Sequence, residues 1–223
     1  MRAQSTMAAN EQVRRSGALT RVAVLDAAER LFASRGYRGT SLEEIGREAG
    51  LSRGTPGYFF GSKQRLYGEV LDRILTRAQA ALAPASARAH DANVPIPELL
   101  EQLVAAHIGM LADEPTLVRL IQWDTLEGNG EILGAIGSHA LVFAELMQRL
   151  GARSGSGELD ETTAAELVTC VAAMCWFPLA HADALERTFG RDPHSREAVD
   201  SQAKTVVEFV LSRFAALRSA PAA

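Results

Sequence analysis

Two cysteines in 223 residues leave little room for disulfide chemistry. Cys170 and Cys175 stand five positions apart in a strongly helical stretch, so they point in different directions and cannot meet in a disulfide. Nothing basic flanks either thiol, and both are expected as small apolar side chains in a core. No apolar run reads as membrane-spanning, and the polar N-terminal stretch lacks a signal-peptide core, so the chain is expected to stay in the cytoplasm, off the membrane. There is no phosphate-binding glycine loop and no nucleophile motif, and the five histidines are scattered without carboxylates or thiols at ligand spacing. An enzyme on a helical scaffold is thereby disfavoured, and neither cofactor nor metal is expected. β-Hairpin signals and internal repeats are missing too.

What is present is an apolar fraction of 47 %, enough for a globular chain with a real core. The net charge of −4 conceals an asymmetry. Residues 1–67 hold 11 Lys/Arg against 6 Asp/Glu, whereas residues 68–223 hold 12 against 21. A basic head on an acidic body is the pattern expected when one end meets phosphate.

Residues 1–16, with Arg2, Arg14 and Arg15, read as a flexible basic arm. A helix follows from about Leu19 to Ser34, its Val24, Leu25, Ala28, Leu31 and Phe32 on one face, and Gly36 ends it. Thr40 with Glu43, or Ser41 with Glu44, can form a capping box that opens a short second helix ending at Ala49-Gly50. Ser52 reads as the N-cap of a third helix, and Ser62 as that of a longer one running to about Ala83. Two short helices around a glycine-containing turn make a helix-turn-helix pattern. After a break from Pro84 to Pro97, helical patterns recur at about 97–112, 115–126, 129–150, 159–185 and 195–218. The fold class is all-α.

The stretch Thr20 to Tyr67 carries Ala27-Ala28-x-x-Leu31-Phe32, Gly36-Tyr37, Thr40-Ser41, Ile45, Ala49-Gly50-Leu51-Ser52, Gly54-Thr55, Tyr58-x-Phe60 and Ser62-Lys63, in order and without gaps. It closely resembles the DNA-binding domain of the TetR family. The resemblance implies a helix-turn-helix domain over residues 17–67 and an effector-binding and dimerisation domain over 68–223. It implies a homodimeric regulator, a repressor released by a small molecule, whose two heads read a palindromic operator. The expected DNA-binding residues are Thr40, Ser41, Ser52, Arg53, Gly54, Thr55, Tyr58, Phe59 and Lys63. Arg53 can fork onto guanine, Gly54 permits close backbone approach, Thr55 and Tyr58 offer hydroxyls, and Phe59 offers apolar contact to a thymine methyl. Lys63 resembles the family's phosphate anchor.

The chain departs from the family at Pro56-Gly57, where a large apolar residue and an aromatic usually stand, and at Phe59, often His. The departure predicts an unusual operator. It also suggests an alternative: a ligand-binding or protein-interaction module with a weakened DNA head.

In the last helix Val199, Ala203, Val206, Val210, Phe214 and Leu217 form one apolar stripe, widened by Val207 and Leu211. In the helix before, Val168, Ala172, Cys175 and Leu179 form one stripe, and Cys170, Met174, Phe177 and His181 another. Arcs so wide are expected to be covered on two sides, by the chain's own core and, as the resemblance implies for the last two helices, by a second subunit; the alternative is a wholly intrachain core. The middle helices are expected to hold a hydrophobic or aromatic effector among His107, Met110, Trp123, Asp124, Phe143, Met147, Met174, Phe177 and His181.

Overall fold

The computed structural model describes residues 2–89, 91, 93–128, 144–145, 147–149, 152 and 160–219, with the backbone alone for residues 2–15, 89, 161 and 217–219. Its elements are α1 (Arg2–Arg35), α2 (Leu42–Glu48), α3 (Thr55–Phe60), α4 (Lys63–Ala89), α5 (Ile96–Asp113), α6 (Pro115–Glu127), α7 (Glu161–Ala180), α8 (Ala182–Phe189) and α9 (Arg196–Ser219). Among the described residues there is no strand, and the chain is all-α. Phe143 and most of the expected helix 129–150 lie outside the described residues.

One face of α1 buries Val24, Ala28 and Phe32 against Ile45 of α2, Phe60 of α3 and Leu66, Val70 and Ile74 of α4. The body is built around α5, which packs against α4, α6, α7 and α9. It buries eight side chains, Leu100, Val104 and Ile108 among them. Each such side chain contributes about 1.5–3 kcal/mol as an upper estimate. The helix α4 is continuous through the expected domain boundary at 67/68, so head and body share one rod.

Several boundaries differ from the sequence reading. The backbone of α1 is helical from Arg2, through the expected arm, where Ala3, Met7, Ala8, Ala9, Glu11 and Gln12 are strong helix formers. Pro84 does not end α4. Alanines surround it, and buried Ala78 and Leu82 hold the helix on the core, which outweighs one missing N–H. The expected helix 159–185 splits at His181 into α7 and α8. Within α7, Pro178 cannot donate to the Met174 carbonyl; Gln202 Nε2 of α9 supplies that bond at 3.0 Å, and Gln122 Nε2 satisfies the Ala180 carbonyl at 3.0 Å.

The apolar stripes are also redistributed. Ala203, Val206, Val210 and Phe214 of α9 are buried within this chain, Phe214 with 2 % exposure. They are its own core, not a bare face. On α7 the buried set is Ala164, Leu167, Val171, Cys175 and Leu179, whereas Ala172, Cys170, Phe177 and His181 are exposed. Cys170 is therefore not a core residue, as five residues of helix turn it away from Cys175. Contrary to the sequence reading, Thr162–Ala180 is long and apolar enough to cross a membrane by length and composition; Glu166 is its single charge.

Head and body are joined by an ion network. Glu29 of α1 accepts from Arg77 Nη2 at 2.7 Å and from Arg73; Arg73 also reaches Asp26, and Arg77 reaches Glu114 between α5 and α6. Burial alone would raise the Glu29 carboxyl, but hydrogen bonds and charge from Arg77 and Arg73 hold it below its ordinary value. A depressed carboxylate contributes stability that is present above its unfolded pKa of about 4.3 and is lost as pH falls through the folded value. Glu29→Gln is thus expected to lower the urea midpoint at pH 7. That gap should narrow below about pH 4; a gap independent of pH would show that the pairing contributes nothing.

Candidate nucleic-acid interface

The second helix starts at Ser41, not Thr40. Ser41 Oγ accepts from Glu44 N at 3.3 Å while Glu44 Oε2 accepts from Ser41 N at 2.9 Å, a complete capping box. The turn after α2 folds back tightly: Leu51 N donates to Gly46 O at 2.9 Å, and a Cβ on Gly46 would stand 2.7 Å from Ser52 O. Only glycine allows that approach.

The N-cap of α3 is Gly54 rather than Ser52. A helix capped at Ser52 would make Pro56 the first residue required to donate an intrahelical bond, which its ring nitrogen cannot do. The helix instead begins later, with Pro56 inside its first turn and Thr55 N donating to Ser52 O at 3.0 Å. Ser52 Oγ and Thr55 Oγ1 bond each other at 2.7 Å. Pro56 and Phe60 point inward; Tyr58 is 86 % exposed. Phe59 is half-buried against the core, its ring edge-to-face with that of Tyr58 at 5.3 Å. Gly57 has open space around a hypothetical Cβ. Gly57→Ala is therefore expected to raise helix stability by about 1 kcal/mol in thermal unfolding, and a loss would show that the short α3 needs its backbone freedom.

The outer face carries Ser52, Arg53, Gly54 and Tyr58. Arg53 reaches Glu43 only at 3.9 Å, both side chains being mostly exposed, so this pair is weak and leaves the guanidinium available. Two expected contacts are otherwise engaged. Thr40 is buried, and its hydroxyl donates to Gly36 O at 2.9 Å and Leu31 O at 3.3 Å. Lys63 Nζ donates to Tyr37 O and Thr40 O at 3.0 Å each and lies 4.3 Å from the Tyr37 ring centroid. It ties the start of α4 to the turn after α1, with one N–H left over. The sequence reading passed over Arg65, whose backbone N–H is capped by Ser62 and whose guanidinium lies beside Gly61 at the end of α3. Its signal was a charge in the first turn after the motif.

The structure places the described effector candidates in different surroundings. Met110, Met147 and Asp124 are buried, and His107 and Met174 are half-buried. Trp123 faces the head: its indole N–H donates to Ala33 O at 3.2 Å. Phe177 and His181 are exposed and stack at 4.3 Å on the surface of α7. Among the described residues, no three His, Cys, Asp or Glu side chains gather as a metal site would need.

Comparison with known proteins agrees with this architecture. A family model described as bacterial regulatory proteins, tetR family, matches residues 24–70, and one described as Tetracyclin repressor-like, C-terminal domain, matches residues 97–210. No curated protein matches the sequence. A TetR-like transcriptional regulator from Rhodococcus sp. RHA1 superposes with a TM-score of 0.66 at 22 % identity over 89 % of this chain and 97 % of that one. The fatty acid degradation regulator FadR from Bacillus halodurans gives 0.61 at 18 % identity, over 86 % and 94 %. PfmR, a TetR family transcriptional regulator from Thermus thermophilus, gives 0.62 at 19 % identity, over 82 % and 93 %. At these identities the structural likeness speaks for the fold, while the two family models together cover the head with its capped α2 and exposed α3 face as well as the helical body, and on that ground the chain belongs to the TetR family of transcriptional regulators.

Proposed function

We propose that the chain is a ligand-responsive repressor that binds a palindromic operator as a homodimer and is released by a small molecule held in the body. The observation that carries this reading is the seating of α6 on the head. Trp123 Nε1 bonds Ala33 O, Glu127 Oε1 accepts from Arg38 N at 3.0 Å, and both side chains close over Gly36. Any shift of α6 is felt at the end of α1 and in the turn leading to α2. A coupling of about 1–3 kcal/mol is the usual size of such linkage. Dimerisation through α7 and α9 is supported by the apolar helix Thr162–Ala180, of which 28 % is buried in one chain. In this reading the protein works in the cytoplasm, the head spans residues 17–67, and α3 enters the major groove.

The operator is obtained by selecting bound sequences from random DNA, and two variants then divide the interface. Arg53→Ala is expected to cost roughly 1–3 kcal/mol per half-site on that operator and to relax preference at one base position. Lys63→Ala is expected to weaken operator and scrambled DNA alike, with a salt slope smaller by about one unit per subunit. Since Lys63 also holds Tyr37 O and Thr40 O, its loss should lower the thermal midpoint as well. Failure to recover any motif, with equal losses on both DNAs for Arg53→Ala, would remove the operator-reading role from this head.

A further inference from the structure

The eight-residue helix α8 is amphipathic yet has no buried residue. Such a helix normally covers something. Beneath it lies a cavity of about 340 Å³, roofed by Leu185 and Phe189 of α8 and walled by Ile108 of α5, Leu179 of α7 and Gln202 of α9. At its rim stands Arg191, which makes no ion pair among the described residues. Its neighbour Asp192 is engaged in accepting from His194 N at 2.8 Å. None of the expected effector residues lines this space.

From this arrangement we infer that the cavity binds an apolar molecule bearing a single anionic group, its tail among Ile108, Leu179 and Leu185 and its anion on Arg191, with α8 as the lid. The chemistry of the walls selects the ligand class. A guanidinium is charged at every working pH and grips a carboxylate through two parallel N–H bonds. The deeper wall offers no charge. Cys175 lines it, and burial pushes its thiol up to about 12, so it presents apolar surface. Gln202 spends its amide on Met174 O, which the proline at 178 leaves without a helical donor. Size follows as well: at roughly 30 Å³ per water-sized group, the space takes about eleven of them, near the lower end of ligand clefts.

The lid has hinges at both ends. His181, outside helical geometry at φ −120° and ψ 27°, separates α8 from α7, and Gly190 ends it at φ +67°. Phe189 is 69 % exposed with the cavity open, and a bound tail would give it a surface to cover. The inference rests on the ligand-responsive reading only for its consequence: Ile108 belongs to α5, which packs on α4, the rod to the head.

The test uses the full chain, titrated calorimetrically with octanoate and with 1-octanol. Octanoate is expected to bind at least tenfold more tightly than octanol, the anion being the difference. Arg191→Gln should bring octanoate to the level of octanol and leave octanol unchanged. Leu179→Trp should abolish both while helicity and molecular mass hold. If that variant fails to fold, Ala198→Phe at the α9 wall replaces it. Equal affinity for the two probes, no heat from octanoate, or full octanoate binding in Arg191→Gln would overturn the site. The same samples are then assayed on the selected operator. Octanoate that binds without releasing DNA would leave the site standing and sink the ligand-release reading; no octanoate binding, with another compound releasing DNA equally from the parent and from Leu179→Trp, would sink the site and leave that reading standing.

Discussion

Phe209→Glu is expected to convert the protein to a monomer that keeps its helicity, while Phe214→Glu unfolds it. The two side chains are five residues apart on α9 but have opposite surroundings. Phe214 is 2 % exposed and sits in the core of its own chain. A carboxylate there loses the packing of a phenyl ring, about 3–5 kcal/mol for removal alone, before the burial of charge is added. Phe209 is 40 % exposed, and Thr205, Ser212 and Ala216 on the same side of α9 are also bare. On α7, Ala165, Thr169, Ala173 and Phe177 are exposed in turn. The paired helices thus present small side chains with an aromatic on each, a surface that a second copy can cover closely. Burying a new charge there without a partner costs several kcal/mol, and each 1.4 kcal/mol is tenfold in the dimer constant. Light scattering with circular dichroism separates the outcomes. A dimeric Phe209→Glu would exclude this face as the interface.

That contrast shows where the sequence could be read and where it could not. Local chemistry was legible. The capping box, the glycine turn and the helix order all depend on residues a few positions apart, and α2 begins where Ser41 and Glu44 require. Ser52 is a good capping residue in isolation, but Pro56 four positions on cannot donate the first intrahelical bond of a helix capped there, so α3 is capped at Gly54 instead. The stripes on α7 and α9 are a different case. On α7, apolar around most of its circumference over Thr162–Ala180 with Glu166 the single charge there, the sequence does not say which arc faces the chain's own α5. On α9 the stripe Ala203, Val206, Val210 and Phe214 is the buried arc, and what the sequence leaves open is whether its own chain or a second copy covers it. Thr40 and Lys63, expected at the DNA from the helix start and from the family resemblance, also bond carbonyls at the end of α1 and in the turn after it, pairings between distant segments that the sequence does not display. The cavity beneath α8 was invisible, since Ile108, Leu179 and Arg191 belong to three separate segments and none is unusual alone.

A methyl group at Gly36 is expected to damage stability and DNA binding together, and a matched glycine supplies the control. Gly36 has φ +73°, and a Cβ there would lie 2.7 Å from Glu127 Oε1 and 2.8 Å from Trp123 Cε3. Neither neighbour can retreat freely, since Trp123 is held to Ala33 O and Glu127 to Arg38 N. Gly36→Ala therefore incurs the left-handed backbone, about 1–2 kcal/mol, and also a displaced contact between α6 and the head, about 1–3 kcal/mol. Gly128 has a similar φ of +76° but open space at its Cβ, so Gly128→Ala incurs the backbone term alone. The difference between the two variants in urea denaturation then measures how tightly α6 presses on α1. On the selected operator, Gly36→Ala should bind more weakly and Gly128→Ala as the parent does. Equal stability losses and unchanged binding would mean that the α6 contact is slack. In that case the body would have to reach the head along α4, through the Glu29–Arg77–Glu114 network instead.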